Sequence, residues 1–366
     1  MKIVYLGNYN SSENLKGPEK VAKRLFHFMN ELNINVVFLE YYFKFYPDFN
    51  QFNRLFGKKV INENPKILRL GLINLLLFLK KERPDIIHIV TYQRFIIIYL
   101  SIKSFFKSRL VTTMHGLLAY ETKKLRNPKS KFGLWKDSLL EQLIIKKSDL
   151  LVLLSENHFE TASKYYNVSR NKTIIIPNGI DKEYVDCRKK INKIGNRKII
   201  FYNGTVYELK GIDKFFQALK KVKKKDYKIY ITGHKPEITI NKDGPIEFVG
   251  FLDSNSLNNI LKEVDIFVST SKFEPFSLFA VESMAAGLIL IVSNKVGMHN
   301  YIEHGKNGFI YDFNSPEQLS TLLNYVLFEK HNLDLISNEA KKIYEILRWE
   351  NVAKKYYTQY ERLCKN

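Results

Sequence analysis

The sequence predicts an α/β protein made of two doubly wound, Rossmann-like domains that face each other across a cleft. Short apolar runs alternate with stretches of helical spacing, and this series of runs starts again in the second half of the chain. Continuous apolar runs are typical of parallel strands covered on both faces. The length of 366 residues also fits two domains, since about 100–200 residues form one.

Each half of the chain supplies its own set of strands. The strands predicted in the first half are residues 2–7, 34–40, 85–90, 109–114, 150–155 and 172–179. Those predicted in the second half are residues 197–204, 227–233, 246–251, 264–270 and 288–294. Helical spacing predicts helices over residues 18–32, 211–225, 254–263 and 347–363.

The charged stretch 181–196 contains no strand-like run, so we expect it to link the two domains. We place the domains at residues 1–182 and 197–346, and expect the C-terminal helix, 347–366, to pack back on the first domain. Ligands of such sheets bind beyond the carboxyl ends of the strands. Candidate site residues are therefore sought directly after strands.

The composition favours a cytoplasmic protein. Cys187 and Cys364 lack the spacing of a disulfide framework or a zinc site, which indicates a reducing compartment. The N-terminus lacks the basic region, apolar run and cleavage site of a signal peptide. The apolar stretches 70–81 and 94–102 are shorter than the ~20 residues that span a bilayer.

Positive charge is concentrated in the first half of the chain. Residues 1–190 contain 33 Lys and Arg against 17 Asp and Glu, out of a net charge of +21. Between residues 103 and 147, eleven cationic residues are interspersed with Phe105, Phe106, Phe132 and Trp135. This mixture predicts either contact with an anionic membrane, at the inner face of the cell membrane, or simply a solvated basic surface.

The segment SKFEPFSLFAVESMAAG, residues 271–287, is the strongest site candidate because it follows a predicted strand. Ser277 is predicted as the N-cap of a helix that ends at Gly287. The free N–H groups of Leu278 and Phe279 then suit a diphosphate, which a helix N-terminus attracts. Glu274 is expected outside the helix.

The run EPFSLFAVE, from Glu274 to Glu282, resembles the E-x7-E region of the GT-B glycosyltransferases of family 4, a retaining class that uses nucleotide sugars. Other segments resemble further parts of this family, in the same order, and together cover most of the chain. They are GPEKVAKRLFHFMNEL (17–32), RPDIIHIV (83–90), VTTMHG (111–116), IIIPNGID (174–181), YNGTVYELKGIDKFFQAL (202–219) and VGMHNYIEHGKNGFIYD (296–312).

This resemblance implies a GT-B architecture and assigns roles to single residues. Glu274 would bind the transferred sugar, Glu282 the ribose, and Lys210 the departing diphosphate, where an ammonium stabilises growing charge. His115 would approach the donor sugar. One departure is that Thr205 follows Gly204 where the family commonly has arginine.

Two further positions complete the predicted donor site. Gly17 would let the backbone approach the donor, and Leu252 would line the base pocket or belong to the core. The chain has no Asp-x-Asp motif of the kind that holds a metal on a diphosphate, so we predict catalysis without a metal or other cofactor.

The resemblance implies transfer of a sugar, with retention, from a nucleotide sugar, with a UDP-sugar expected, to a glycan or lipid-linked acceptor in surface-polysaccharide or glycoconjugate synthesis. Three alternatives remain at this point. A basic nucleic-acid-binding protein would explain the pI near 9.6, although the chain has no recognisable motif of that kind. An inactive partner subunit would explain Thr205, and an epimerase or phosphorylase would share the fold.

Overall fold

The structure is a computed structural model that describes residues 1–9, 17–42, 46–91, 96–125, 131–186, 198–204, 207–223, 227–233, 246–328 and 333–365. Within these ranges the strands form two sheets, one of eight strands and one of six. The predicted α/β class with two doubly wound sheets is confirmed. The described part of the chain contains no helix that combines the length and apolarity needed to cross a membrane.

The first sheet has the strand order β3-β4-β2-β1-β5-β6-β7-β8, and only the β3–β4 pair is antiparallel. Its strands are β1 Ile3–Gly7, β2 Val36–Tyr41, β3 Lys58–Asn62, β4 Ile67–Leu70, β5 Ile86–Ile89, β6 Arg109–Thr113, β7 Leu150–Leu153 and β8 Thr173–Ile175. Strands β1, β2, β4 and β5 are buried along their whole length, as expected for a sheet covered on both faces.

The helices of this half run between the strands. They are α1 Gly17–Glu31, α2 Gln51–Phe56, α3 Leu72–Glu82, α4 Ile96–Ile102, α5 Leu118–Tyr120, α6 Lys131–Lys147, α7 Glu156–Tyr166 and α8 Glu183–Asp186. Helix α1 buries Val21, Ala22, Leu25, Phe26 and Met29 along one face, which is the spacing that predicts this helix from the sequence.

The second sheet is parallel, with the order β11-β10-β9-β12-β13-β14. Its strands are β9 Lys198–Asn203, β10 Tyr227–Thr232, β11 Ile246–Gly250, β12 Ile266–Ser269, β13 Ile289–Ser293 and β14 Phe309–Tyr311. The remaining helices are α9 Tyr207–Lys210, α10 Ile212–Lys220, α11 Ser254–Glu263, α12 Leu278–Ala285, α13 Pro316–Phe328, α14 Leu333–Lys341, α15 Ile343–Leu347 and α16 Trp349–Lys365. The order reverses between β9 and β12, and ligands of open α/β sheets bind at such a switch point.

The last helix, α16, packs on the first sheet. The Tyr360 hydroxyl lies 2.6 Å from His88 Nδ1 and 3.1 Å from the Tyr5 hydroxyl, and the Tyr356 hydroxyl lies 3.0 Å from Thr113 Oγ1. Trp349, at the start of α16, is buried against Gly179. The predicted domain limits stay predictions, because residues 187–197 lie outside the described part of the chain.

The sequence prediction misses strands β3, β4 and β14, and it makes the strand over residues 172–179 too long, since β8 is Thr173–Ile175. Strand β3 is an exposed polar edge strand, so it lacks a hydrophobic pattern. The expected linker is also partly structured, because its first residues form α8 and bury Tyr184.

Candidate active site

A cleft between the carboxyl ends of the two sheets brings together nine of the residues selected from the sequence. They are Gly17, His115, Lys210, Leu252, Glu274, Ser277, Leu278, Phe279 and Glu282. Gly204, at the end of β9, is buried but does not line the cleft, and Thr205 lies outside the described residues. The cleft volume of about 250 Å³ is slightly below the ~300–1,000 Å³ of typical ligand pockets, and two lysine–glutamate pairs lie within it.

Helix α12 starts at this cleft, after the loop that follows β12. Ser277 occupies the predicted N-cap position of this helix, but its side chain makes no capping hydrogen bond. Its φ of 84° and ψ of 91° depart from the extended backbone of capping residues, and a positive φ is rare outside glycine. Because the first N–H groups of a helix have no intrahelical acceptor, the amides of Leu278 and Phe279 are donors at the cleft wall.

The other end of α12 follows the prediction. Gly287 has a φ of +81°, its N–H donates to the Met284 carbonyl at 2.9 Å, and the Leu288 N–H donates to the Ser283 carbonyl at 3.0 Å. This pair of hydrogen bonds is a Schellman motif, which uses glycine in the left-handed region. The motif therefore ends α12 where the sequence predicts.

Glu274 lies outside α12, as expected from its spacing. A parallel bridge to Val296 holds its backbone, and its carboxylate pairs with the Lys210 ammonium. Lys210 ends α9, and Gly211 follows it with a φ of +68°; a Cβ on Gly211 would lie 2.3 Å from the Thr270 carbonyl oxygen. Only glycine therefore lets this turn bring Lys210 to Glu274.

Glu282 is almost fully buried and pairs with a residue that the sequence analysis missed. Lys20, from α1, places its Nζ 2.7 Å from Glu282 Oε1 and 2.7 Å from the Tyr184 hydroxyl. Asp181 lies 3.9 Å from the same ammonium and accepts from Arg24 Nε at 3.0 Å. The pair joins the first half of the chain to the second across the cleft. The only sequence signal for Lys20 is its place three positions after Gly17.

Both members of this pair carry perturbed ionisation. Burial acts to lower the pKa of Lys20, but Glu282, Tyr184 and Asp181 hold that pKa above its ordinary value. Burial raises the pKa of Glu282, while Lys20 opposes this rise. The lysine therefore favours the ionised carboxylate of Glu282, which accepts hydrogen bonds.

His115 follows β6 and is half-buried at the cleft. Burial lowers its pKa to about 4, although a hydrogen bond to the Val90 carbonyl opposes the change. Its Nε2 lies 2.9 Å from that carbonyl oxygen, so Nε2 carries the proton and Nδ1 is left as an acceptor. A neutral histidine with this tautomer can accept a hydrogen bond from a hydroxyl group.

Asn178 is another cleft residue that the sequence analysis did not select. It is 5% exposed, and its Oδ1 has no hydrogen-bond partner among the described residues. A buried amide oxygen of this kind costs free energy unless a ligand or water pairs with it. Asn178 lies in the segment IIIPNGID, residues 174–181, which resembles the family. That resemblance is the sequence feature that could have selected it.

No group of three His, Cys, Asp or Glu side chains in the described ranges has the arrangement of metal ligands. The cations at the cleft are side chains, Lys20 and Lys210. Each of these lysines pairs with a glutamate, and the N–H groups at the start of α12 add hydrogen-bond donors at the cleft wall. Glu274 and Glu282 supply hydrogen-bond acceptors beside it.

Comparisons with known proteins agree with this geometry. Residues 15–184 match the family described as Glycosyltransferase Family 4, and residues 186–343 match the family described as Glycosyl transferases group 1. An uncharacterized glycosyltransferase of Methanocaldococcus jannaschii, MJ1607, is 27% identical over 61% of this chain and 62% of its own length, so the match spans under two thirds of that relative.

Two further proteins are similar over a larger share of the chain. The UDP-Gal:alpha-D-GlcNAc-diphosphoundecaprenol alpha-1,3-galactosyltransferase of Escherichia coli is 26% identical over 78% of this chain and 76% of its own length. The crystal structure of Anabaena HepE in complex with UDP and glucose superposes with a TM-score of 0.69, at 17% identity, over 99% of this chain and 100% of the other.

Proposed function

Because the chain belongs to family 4 of the GT-B glycosyltransferases, we propose that it transfers a sugar from a nucleotide diphosphate, a UDP-sugar, to a hydroxyl group of a glycan or lipid-linked acceptor. The observation that carries the proposal is the cleft itself. Two Lys–Glu pairs and the N-terminus of α12 meet there at the switch point of the second sheet.

A nucleotide sugar has two sugars on either side of one diphosphate, and the cleft offers groups for each part. The N–H groups of Leu278 and Phe279 would bind the diphosphate together with Lys210. Glu282 would accept hydrogen bonds from the ribose hydroxyls, and Glu274 from those of the transferred sugar. Neutral His115 would accept one more through Nδ1.

The base of the donor would lie toward the start of α11. Leu252 lines the cleft there, and its side chain packs against the core of the second sheet. The preceding residue, Phe251, is 61% exposed and is not part of the cleft wall. Gly17 lies opposite, close to Leu278.

The reaction we propose retains the anomeric configuration. The bond between the anomeric carbon and the diphosphate oxygen breaks, and the acceptor oxygen bonds to that carbon on the same face. The acceptor proton passes to an oxygen of the departing diphosphate. Lys210 and the α12 amides stabilise the negative charge that grows on the diphosphate, so the step is proposed to need no metal.

The proposal of a UDP donor and a lipid-linked acceptor has separate support. The E. coli relative is named for a UDP-galactose donor and a diphosphoundecaprenol-linked acceptor, and the HepE crystal structure is a complex with UDP and glucose. An acceptor of this kind places the enzyme in surface-polysaccharide or glycoconjugate synthesis. It also favours a cytoplasmic location at the inner face of the membrane.

Product analysis tests the reaction. Donor hydrolysis or transfer is followed by NMR of the anomeric proton, with and without EDTA, for the wild-type protein and Glu274→Ala. We expect retention, no loss of rate with EDTA, and a large loss with Glu274→Ala. An inverted product would refute the retaining step, and an EDTA-sensitive rate would refute metal independence. If the wild-type protein turns over no nucleotide sugar, the proposal that it is a glycosyltransferase is refuted.

A further inference from the structure

A second cavity lies at the opposite end of the first sheet, at the amino ends of its strands. It is a groove between the C-terminus of α3, the residues before β5, the residues before β6, and Cys364 near the end of α16. Its volume of about 620 Å³ falls within the ~300–1,000 Å³ of ligand pockets. Since β5 and β6 are parallel and the active-site cleft lies beyond their carboxyl ends, the strands separate the two sites.

The groove is strongly positive. Lys80, Arg83, Lys107 and Arg109 line it, and none of them forms an ion pair with any other described residue. Asp85 is the acidic residue of the lining. One oxygen of its carboxylate accepts from the Lys2 backbone N–H at 2.6 Å, and the four cations outnumber its single negative charge.

The neighbouring acid does not neutralise the groove either. Glu82, the last residue of α3, pairs with the Lys2 side chain. Glu82 is thus paired with Lys2, whereas the four cations of the lining are exposed to solvent. Four like charges in one groove repel one another, and a bound anion relieves this repulsion.

Arg83 has a backbone that its side-chain type disfavours. It follows α3 with a φ of 44° and a ψ of 58°, the left-handed region that glycine or asparagine usually occupies at a helix end. For other residues this region costs roughly 1–2 kcal/mol. This left-handed turn ends α3 at the groove, where the Arg83 N–H donates to the Leu79 carbonyl oxygen at 3.0 Å.

An apolar element stands beside the cations. Phe105 is 83% exposed and lines the same groove, together with the partly buried Phe106. Arginine binds phosphate through two parallel hydrogen bonds, and lysine adds a point charge. We propose that this groove binds a phosphate group, carried by a lipid headgroup or by a soluble ligand. The site lies outside the proposed transfer reaction and does not depend on it.

Cys364 gives a local readout of the groove, because it is an exposed free cysteine in its wall. The soluble probe is inorganic pyrophosphate at constant ionic strength. The rate of alkylation of Cys364 by iodoacetamide is measured by peptide mass spectrometry. The lipid probe is a phosphatidylcholine vesicle with or without phosphatidylglycerol, measured by flotation.

The test variant is Arg83→Gln/Lys107→Gln/Arg109→Gln. The matched control, Lys220→Gln/Lys262→Gln/Lys355→Gln, removes the same charge from exposed positions away from the groove. Both variants replace exposed side chains, and thermal unfolding verifies that each one folds.

We expect pyrophosphate to slow alkylation several-fold, or the anionic vesicles to bind, in the wild type and the control but not in the test variant. Protection of Cys364 alone identifies a soluble ligand, and vesicle binding alone identifies a lipid headgroup. The proposal is overturned when neither probe binds the wild type. Equal loss of binding in both variants also overturns it, because this would be the effect of net charge.

Discussion

Lys20 Nζ lies 2.7 Å from Glu282 Oε1, and this ion pair joins α1 of the first half to α12 of the second. The side chains are 16% and 4% exposed. Removing one partner of a buried pair leaves an unpaired charge, which typically costs ~3–5 kcal/mol. We therefore expect Lys20→Met to lower the free energy of unfolding by about this amount, and Lys20→Met/Glu282→Gln to recover part of the loss. Urea denaturation measures both.

The same variant has a pH signature in donor binding. Without Lys20, burial together with the charges of Asp181 and Glu183 raises the pKa of Glu282, so the carboxyl stays protonated to higher pH. Donor affinity of Lys20→Met is then expected to be about tenfold weaker on the acid side and to recover as the pH rises, because the ionised carboxylate of Glu282 accepts the hydrogen bonds of the ribose. Lys23→Met, on the same helix, is the control. A loss that does not change with pH would contradict this role.

Lys210 is predicted to act on the leaving diphosphate. Removal of a charge-stabilising donor at an active site lowers kcat by ~10²–10³-fold in other enzymes. We expect Lys210→Met to lower kcat/KM by about this factor, with a larger effect on kcat than on KM. Lys214→Met, on α10 outside the cleft lining, is the matched control. Steady-state kinetics measures both variants. Equal losses of kcat/KM in the two would contradict the role of Lys210 at the diphosphate.

Substitution of two glycines by alanine is expected to affect donor binding at one position and stability at the other. A Cβ on Gly17 would lie 3.6 Å from Leu278 Cδ1, an ordinary contact, whereas a Cβ on Gly179 would lie 2.3 Å from Trp349. Gly17→Ala is expected to raise the donor KM with little change in unfolding. Gly179→Ala is expected to destabilise the fold by roughly 1–3 kcal/mol, the usual effect of overpacking. Thermal unfolding and kinetics on both variants test this; an unchanged KM in Gly17→Ala would exclude close approach of the donor.

Three histidines with lowered pKa values predict acid sensitivity. Burial lowers the pKa of His88 to about 3, of His115 to about 4 and of His158 to about 3. The unfolded chain, with pKa values near ~6.5, then binds more protons than the folded protein between about pH 6.5 and 3. Stability is therefore full above about pH 6.5 and falls as the pH decreases.

Each such histidine contributes a slope of up to ~1.4 kcal/mol per pH unit. His158→Leu is expected to flatten the pH dependence of the free energy of unfolding by one such contribution. The exposed His27→Gln is the control. Urea denaturation from pH 7 to pH 4 gives the slopes, and identical slopes for wild type and His158→Leu would contradict the assignment.

The sequence predicts both sheets because their central strands are continuous apolar runs. Strand β4 was missed because Arg69 interrupts its apolar run; the structure buries this arginine against Glu40, with Nη2 2.9 Å from Oε2. The burial of a charged residue cannot be predicted from local sequence when its partner is distant along the chain. Local sequence patterns predict strands and helix ends, such as the one at Gly287, but they do not predict buried ion pairs.

The candidate site also contains residues that local motifs predict and residues that only the fold brings together. Glu274, Glu282 and Lys210 were selected because they follow strands or match motifs of the family. Lys20 was missed because its partner, Glu282, is 262 positions away, and only the folded chain brings α1 to α12. The lack of a side-chain capping hydrogen bond at Ser277 could not be predicted from the sequence either. Serine favours capping, but the backbone angles of Ser277 differ from those of capping residues.

Binding of a panel of UDP-, GDP- and ADP-sugars, measured by calorimetry, tests the central claim most directly. The proteins compared are the wild type, Glu282→Gln and the matched surface variant Glu263→Gln. We predict that a UDP-sugar binds the wild type and Glu263→Gln equally, and that Glu282→Gln binds it at least about tenfold more weakly, or ~1.4 kcal/mol. Binding of no nucleotide sugar by the wild type, or equal binding by all three proteins, would contradict the account.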